Sequence, residues 1–328
     1  MYQFKDIVGH EFVIESLKKA INSGRVSHAY IFDGIEGVGR KLVAETFAKT
    51  LQCQSGASEP CNECISCRAF GDSNHPDVIY VKPEKTQALG VDDIREQINK
   101  AAKIKPYQYK YKIFIVDNAD EMSPQAQNAL LKTIEEPPSY AIFLLISSNV
   151  KNFLPTIISR CVIYKLKPAG NNDVMNFLKL QGFNEADAIG AAAPSGGSIG
   201  KALMLIEDES FKEDRAEISS HLNSLPDLNL WDILLLAKEL EKYKDNAERM
   251  LSVMYLWYRD AIIYKATDSI DSFMQMDMTK NIIVFAKNMN LKKLAAGLDS
   301  IIEARRALGY NANYLLTMEV MLMKMAGL

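Results

Sequence analysis

Gly34-Ile35-Glu36-Gly37-Val38-Gly39-Arg40-Lys41 stands between the apolar run Ala29–Phe32 and a helix-forming stretch, Leu42–Leu51. A glycine-rich turn that joins a strand to a helix is the layout of a phosphate-binding loop, in which backbone N–H groups and the helix N-terminus face anionic oxygens. The pattern asks for Gly, four residues, Gly, then Lys and Ser or Thr. Gly34 and Gly39 keep that spacing, and Gly37 adds a third flexible position. The last two letters fail. Arg40 stands where the phosphate-reaching Lys belongs, and Lys41 replaces the hydroxyl that would hold Mg²⁺; an ammonium cannot ligate a cation. The expectation is a nucleotide-binding fold whose hydrolytic chemistry has been removed, rather than a strand–helix turn with incidental glycines.

A second degenerate position lies downstream. Lys112–Asp117 is a buried-type strand that ends in a carboxylate. In a nucleotide-hydrolysing fold such an Asp helps hold Mg²⁺ and a neighbouring group orients the attacking water. Here Asn118 follows, and an amide cannot take a proton from water. The two losses agree in sense. Ser123 and Pro124 suit a helix start, and Gln125–Glu136 runs as a helix until Pro137-Pro138 stops it. Ala141–Ile146 reads as a further strand, ending in Ser147-Ser148-Asn149, polar groups placed to sense a γ-phosphate. Pro155–Ile158 leads through Ser159-Arg160-Cys161 to a last short strand, Val162–Leu166. With helices at 12–21 and 91–102 and a strand at 78–81, the pattern over residues 1–167 predicts a parallel sheet with helices on both faces.

Cys53, Cys61, Cys64 and Cys67 fall within fifteen residues inside a polar insertion. Two CxxC-like pairs can close on one tetrahedral Zn²⁺ at ~2.3 Å per sulfur. Thiol–disulfide chemistry is the rival use of CxxC, but four thiols arriving as a set favour metal. Four sulfurs leave no open coordination position, so such an ion would be structural and hold a module over 53–67. His75, before Pro76, reads as a turn residue and not a fifth ligand, and His28 as a packed or capping group. Lys100–Lys112 interleaves lysines with Tyr107, Tyr109 and Tyr111. That mixture can mark nucleic acid, yet a solvated loop is the plainer reading.

Beyond Pro168 the strand signals nearly vanish. Short helices are expected over 171–180, 184–193 and 198–206, and residues 209–328 read as helical throughout. Frequent Met in the last stretch reads as core or subunit interface. A chain of 328 residues with 48% hydrophobic and 24% charged side chains has ample core for two or three domains. The expected divisions are 1–167, 168–208 and 209–328. A net charge of −3 gives no global basic field, which weighs against a zinc-ribbon nucleic-acid-binding protein. The opening MYQFKDIVGH lacks the apolar core of a secretory leader, and no apolar run approaches the ~18 residues of a membrane span, so a cytosolic location is expected.

Asn128-Ala129-Leu130-Leu131-Lys132-Thr133-Ile134-Glu135-Glu136-Pro137-Pro138, with Ser159-Arg160-Cys161, resembles the signature of AAA+ clamp-loader subunits. The four-cysteine insertion after the phosphate loop is similar to that of the bacterial clamp loaders of DNA polymerase III. The resemblance implies an AAA+ domain with a zinc insertion, a small helical lid and an all-α collar that joins a hetero-pentamer with gamma/tau and delta subunits. Such a complex opens the sliding clamp and closes it on primer-template DNA with ATP bound by gamma/tau. It implies that Arg160 acts in trans on a neighbouring subunit's ATP site, and that Cys53, Cys61, Cys64 and Cys67 ligate zinc. Active relatives begin the lid helix Gly-Ser-x-Arg; here Gly197-Ser198-Ile199-Gly200 has Gly200 at the arginine's place, a third loss of the same kind. Arg40 and Lys41 keep positive charge on the loop, enough for weak anion or nucleotide binding. The implied role is a non-hydrolysing subunit; the alternative is an active gamma/tau-like ATPase.

Overall fold

The computed structural model describes residues 3–72, 74–83, 89–310 and 312–327. The chain divides into two compact units, Met1–Asp173 with Ser198–Gly200, and Val174–Gly197 with Lys201–Leu328.

The first unit is built on β1 (Ala29–Asp33), β2 (Val78–Val81), β3 (Lys112–Val116), β4 (Ala141–Ser147) and β5 (Val162–Lys165), all parallel in the order β2-β3-β4-β1-β5. Successive side chains on a strand point to opposite faces, and a parallel sheet buries both. One face therefore collects Tyr30, Phe32, Ile113, Ile115, Leu144 and Ile146 beneath α1 (Glu11–Asn22) and α2 (Arg40–Gln52). The other collects Ile31, Phe114, Val116, Phe143 and Leu145. Against it lie a helix that starts at Val91 and widens to a π-helix over Ile94–Lys100, and α3 (Pro124–Glu135). Ile94 and Ile98, on one face of that helix, are both fully buried. Ser123 caps α3 by accepting from the Ala126 N–H, with Pro124 in the first turn as expected.

Register sets the edge where chemistry would sit. Asp33 pairs with Ser147 and Val116 with Leu145, so Asp33, Asp117 and Ser147 leave the sheet at one carboxyl edge. That edge is where open α/β sheets bind ligands.

The second unit is helical, as the sequence predicts: α4 (Glu185–Ala192), α5 (Glu209–Ser224), α6 (Leu230–Glu239), α7 (Ala247–Thr267), α8 (Thr279–Asn288), α9 (Leu291–Gly309) and α10 (Tyr314–Ala326). Asparagines open four of them, Asn184, Asn229, Asn290 and Asn313 each accepting a backbone N–H of the first turn. Helix α7 is the centre, burying Met250, Leu251, Val253, Met254, Leu256, Trp257 and Tyr258. The methionine stripe of α10, Met318, Met321 and Met325, is core. None of the described helices is long and apolar enough to cross a membrane.

Gly297 on α9 lets α7 approach. A Cβ there would meet Tyr258 Cε1 at 2.3 Å, and that ring is fully buried with its hydroxyl on Met325 O at 3.0 Å. Gly297→Ala is expected to lower stability of this unit by about 1–3 kcal/mol, the usual cost of overpacking. Urea unfolding followed by tryptophan fluorescence would show a lower midpoint with an unchanged slope. Both tryptophans, Trp231 and Trp257, lie in this unit. A wild-type midpoint would refute the steric account.

Candidate functional site

The glycine-rich loop leaves β1 at Asp33 and enters α2 at Arg40. Gly37 and Gly39 take left-handed backbone, φ 71° and 102°, which glycine adopts without strain. A Cβ on Gly34 would lie 2.6 Å from Leu166 O, so glycine is required there by packing as well. The loop's outward carbonyls are all engaged within the first unit. Val38 O accepts from His10 Nε2 at 2.9 Å, Glu36 O from Ser198 Oγ at 2.8 Å, and Gly37 O from the Gly200 N–H at 2.9 Å. The Gly200 contact is tight: a Cβ there would sit 2.9 Å from Gly37 Cα. Gly200 thus does more than lack an arginine; it allows the backbone of one segment to lie on the backbone of the other.

Lys41 and Asp117, 76 residues apart, form an ion pair at 3.1 Å. The ammonium therefore holds the carboxylate that a hydrolysing relative would use for a cation. Glu45, one turn further along α2, faces the same pair, and burial raises its carboxyl above the usual carboxylate range. Sequence reading missed Glu45, because only the helical i, i+4 spacing from Lys41 points to it. Arg40 is buried, and its Nη1 has no hydrogen-bond partner among the described residues. An orphaned guanidinium nitrogen at a helix N-terminus fits an anionic oxygen; the Lys41–Asp117 pair does not fit a divalent cation beside it. The polar run after β4 is committed internally. Ser147 Oγ donates to Asp33, Ser148 Oγ and N–H both donate to the buried Asp120, and Asn149 caps the next turn.

Cys53, Cys61, Cys64 and Cys67 come together as the sequence predicts, with all four Sγ atoms within 4.8 Å of one another. Cys61 Sγ and Cys67 Sγ are 3.9 Å apart. Four sulfurs at ~2.3 Å around a tetrahedral ion lie about 3.8 Å apart, so the donor set fits a metal ion. Backbone N–H groups of Cys61, Cys64 and Cys67 donate to Cys53, Cys61 and Cys64 sulfurs, each at 3.4 Å. Such donors favour thiolate: N–H groups of Glu63 and Cys64 bring the Cys61 thiol down to about 6, while burial pushes Cys67 upward. Cys161 stands apart, its thiol pushed up to about 12 by burial.

The module is fastened to the sheet by residues that sequence reading undervalued. His75 Nδ1 accepts from the Asp77 N–H at 3.2 Å, so Nε2 carries the proton and meets Ser66 Oγ at 3.1 Å. His75 is therefore an anchor and no ligand. Asp77, buried at the foot of β2, accepts N–H bonds from Tyr107, Gln108 and Tyr109. Those bonds fix the lysine–tyrosine loop, and the Tyr109 ring lies tilted against the His75 ring, centroids 4.5 Å apart.

Arg160 follows a short helix, Pro155–Ile158, and is 38% exposed. Its Nη2 pairs with Glu135 Oε1 at 2.9 Å, and its Nη1 donates to Thr156 O and Ser159 Oγ at 3.0 and 3.2 Å. Among the described residues no hydrogen bond or ion pair ties it to the glycine-rich loop, so the candidate residues divide into three separate groups: loop with Asp117, four sulfurs, and Arg160.

Two family descriptions match the chain: "DNA polymerase III, delta subunit" over residues 9–170 and "DNA polymerase III, delta subunit, C terminal" over residues 209–326. The chain is 26% identical over 315 residues to DNA polymerase III subunit delta' of Bacillus subtilis, covering 92% of this chain and 91% of that protein. It is 30% identical over 296 residues to subunit tau of the same organism, covering 83% of this chain and 52% of that protein. The chain thus spans about half the length of the tau relative. Among solved structures, a DNA polymerase III gamma subunit-related protein of Thermotoga maritima aligns over 96% of this chain and 98% of its own, with TM-score 0.41 and 19% identity. With one match lying on the sheet unit and the other on the helical unit, the chain belongs to the clamp-loader subunits of DNA polymerase III.

Proposed function

We propose that this chain is the non-hydrolysing, delta-prime-type subunit of the clamp loader. It assembles with gamma/tau and delta subunits into a hetero-pentamer in the cytoplasm, and the complex loads the sliding clamp onto primer-template DNA. In this reading the 168–208 and 209–328 segments are lid and collar, zinc at the four cysteines is structural, and Arg160 reaches the ATP site of a neighbouring subunit. The observation that carries the reading is the Lys41–Asp117 pair, which sets an ammonium where a working site needs Mg²⁺. The loop carbonyls clasped by Ser198, Gly200 and His10 support it. The chain's own residues then have three tasks: to keep the loop ordered, to hold the cysteine module, and to present Arg160.

The competing reading, an active gamma/tau-like ATPase, draws on the tau relative. One assay separates them. The purified chain is expected to turn over ATP no faster than buffer, since general-base assistance alone supplies typically ~10²–10⁴-fold and Asn118 cannot provide it. Mixed with the other subunits, it is expected to enter a complex whose native mass includes one copy of it. Magnesium-dependent turnover that persists through purification and disappears in Asp117→Ala would establish the active ATPase instead.

A further inference from the structure

Arg160 is held in a particular way. Its guanidinium has five N–H donors; Nη1 donates to Thr156 O and Ser159 Oγ, and Nη2 forms an ion pair with Glu135 Oε1 at 2.9 Å. No hydrogen bond from Nε is formed among the described residues, and the fork is partly exposed. A planar fork with donors to spare is what a phosphate takes bidentately. The Nη1 contacts come from Arg160's own turn, which sets one side of the fork. Glu135 comes from a different element and sets the other.

Glu135 is also an electrostatically unexpected choice. It is the last residue of α3, directly before Glu136-Pro137-Pro138. The C-terminal end of a helix carries partial negative charge and favours cations, so a carboxylate there is misplaced unless something compensates it. Arg160 is that compensation.

We propose that Glu135 is the positioning residue for Arg160: its ion pair holds the guanidinium in a single outward orientation before the neighbouring subunit arrives, leaving the donors that Glu135 does not face for that subunit's phosphate oxygens. This rests on the trans role of Arg160 given above. An untethered arginine must order a long side chain on each encounter, and a tethered one has already done so. Glu135 touches no substrate; it acts through Arg160 alone.

The test uses the reconstituted clamp loader with five versions of this chain: wild type, Glu135→Gln, Glu135→Asp, Arg160→Ala and the Glu135→Gln/Arg160→Ala double substitution. Gln keeps the shape of the side chain and removes its charge. Clamp- and DNA-stimulated ATP turnover is read as kcat and KM separately, alongside the melting temperature of the isolated chain. Glu135→Gln is expected to lower kcat by about three- to thirtyfold, the scale of ordering one such side chain, with KM and melting temperature near wild type. Glu135→Asp is expected to recover part of the loss. In the Arg160→Ala background, Glu135→Gln should change nothing further. Wild-type kcat for Glu135→Gln beside a depressed Arg160→Ala would overturn the positioning role and leave the trans arginine standing. A further drop in the double substitution would overturn it too, by showing that Glu135 acts elsewhere. Wild-type turnover for Arg160→Ala would remove the trans arginine itself, and Glu135 with it.

Discussion

Protein carrying Cys64→Ser is expected to leave purification without stoichiometric zinc and with residues 53–72 loosened. The sulfur that is lost is one of four lying within 4.8 Å of one another, and an oxygen of a neutral hydroxyl is a poor substitute for thiolate. It is also the sulfur that accepts the Cys67 N–H and caps the short helix Ile65–Gly71, so the metal site and the helix start fail together. Structural zinc in small modules contributes apparent binding free energies of about 10–16 kcal/mol, and that binding energy is folding energy for the module. The parallel sheet should survive, because its two layers close without the insertion. Elemental analysis of wild-type protein prepared without chelator should give one zinc per chain. Limited proteolysis of Cys64→Ser should cut between residues 53 and 72 first. Wild-type protein without metal, or a variant as resistant as wild type across that stretch, would refute the assignment.

In the reconstituted complex, Arg160→Ala is expected to lower stimulated ATP turnover while the chain folds and assembles normally. An arginine supplied in trans to GTPases is worth about 10³–10⁵ in turnover; the loss measured over a whole complex should be smaller wherever other sites keep their own arginines. Within its own unit Arg160 makes an exposed ion pair with Glu135, a type of contact worth about 0–1 kcal/mol, so little stability should be lost. Arg160→Lys should not restore activity, because a point-charge ammonium lacks the planar fork. A complex that turns over ATP and loads clamps like wild type with Arg160→Ala would refute the trans role.

Local pattern made much of this legible. The strand–loop–helix around Gly34–Lys41, the buried runs that became β3 and β4, and the cysteine spacing each depend on neighbours in the chain. What pattern could not supply was where distant residues land. Lys41 could be read as a missing hydroxyl, but its ammonium meeting Asp117 is a contact across 76 residues. Gly200 could be read as a missing arginine; that glycine is sterically required against Gly37 needed both backbones in place. Ser147 and Ser148 stood where a phosphate might be sensed, yet Asp33 and the buried Asp120 had taken their hydroxyls. Asp77 looked like one more polar turn residue, because nothing local reveals that it is buried under three N–H donors from a loop thirty residues away.

The backbone-on-backbone contact of Gly200 with Gly37 bears on how this lineage can change. Rebuilding a hydrolytic site takes a lysine at 40, a hydroxyl at 41, a carboxylate at 118 and an arginine at 200. Any side chain at 200 brings a Cβ to 2.9 Å from Gly37 Cα, so the arginine cannot return until the segment carrying it moves away. A hydroxyl at 41 strips Asp117 of its partner and still gives no turnover without the other three. Each step taken singly is a loss, and only the last would be rewarded. On the reading proposed above, the route to a hydrolysing subunit passes through steps that gain nothing, and the fold itself works as a ratchet against it.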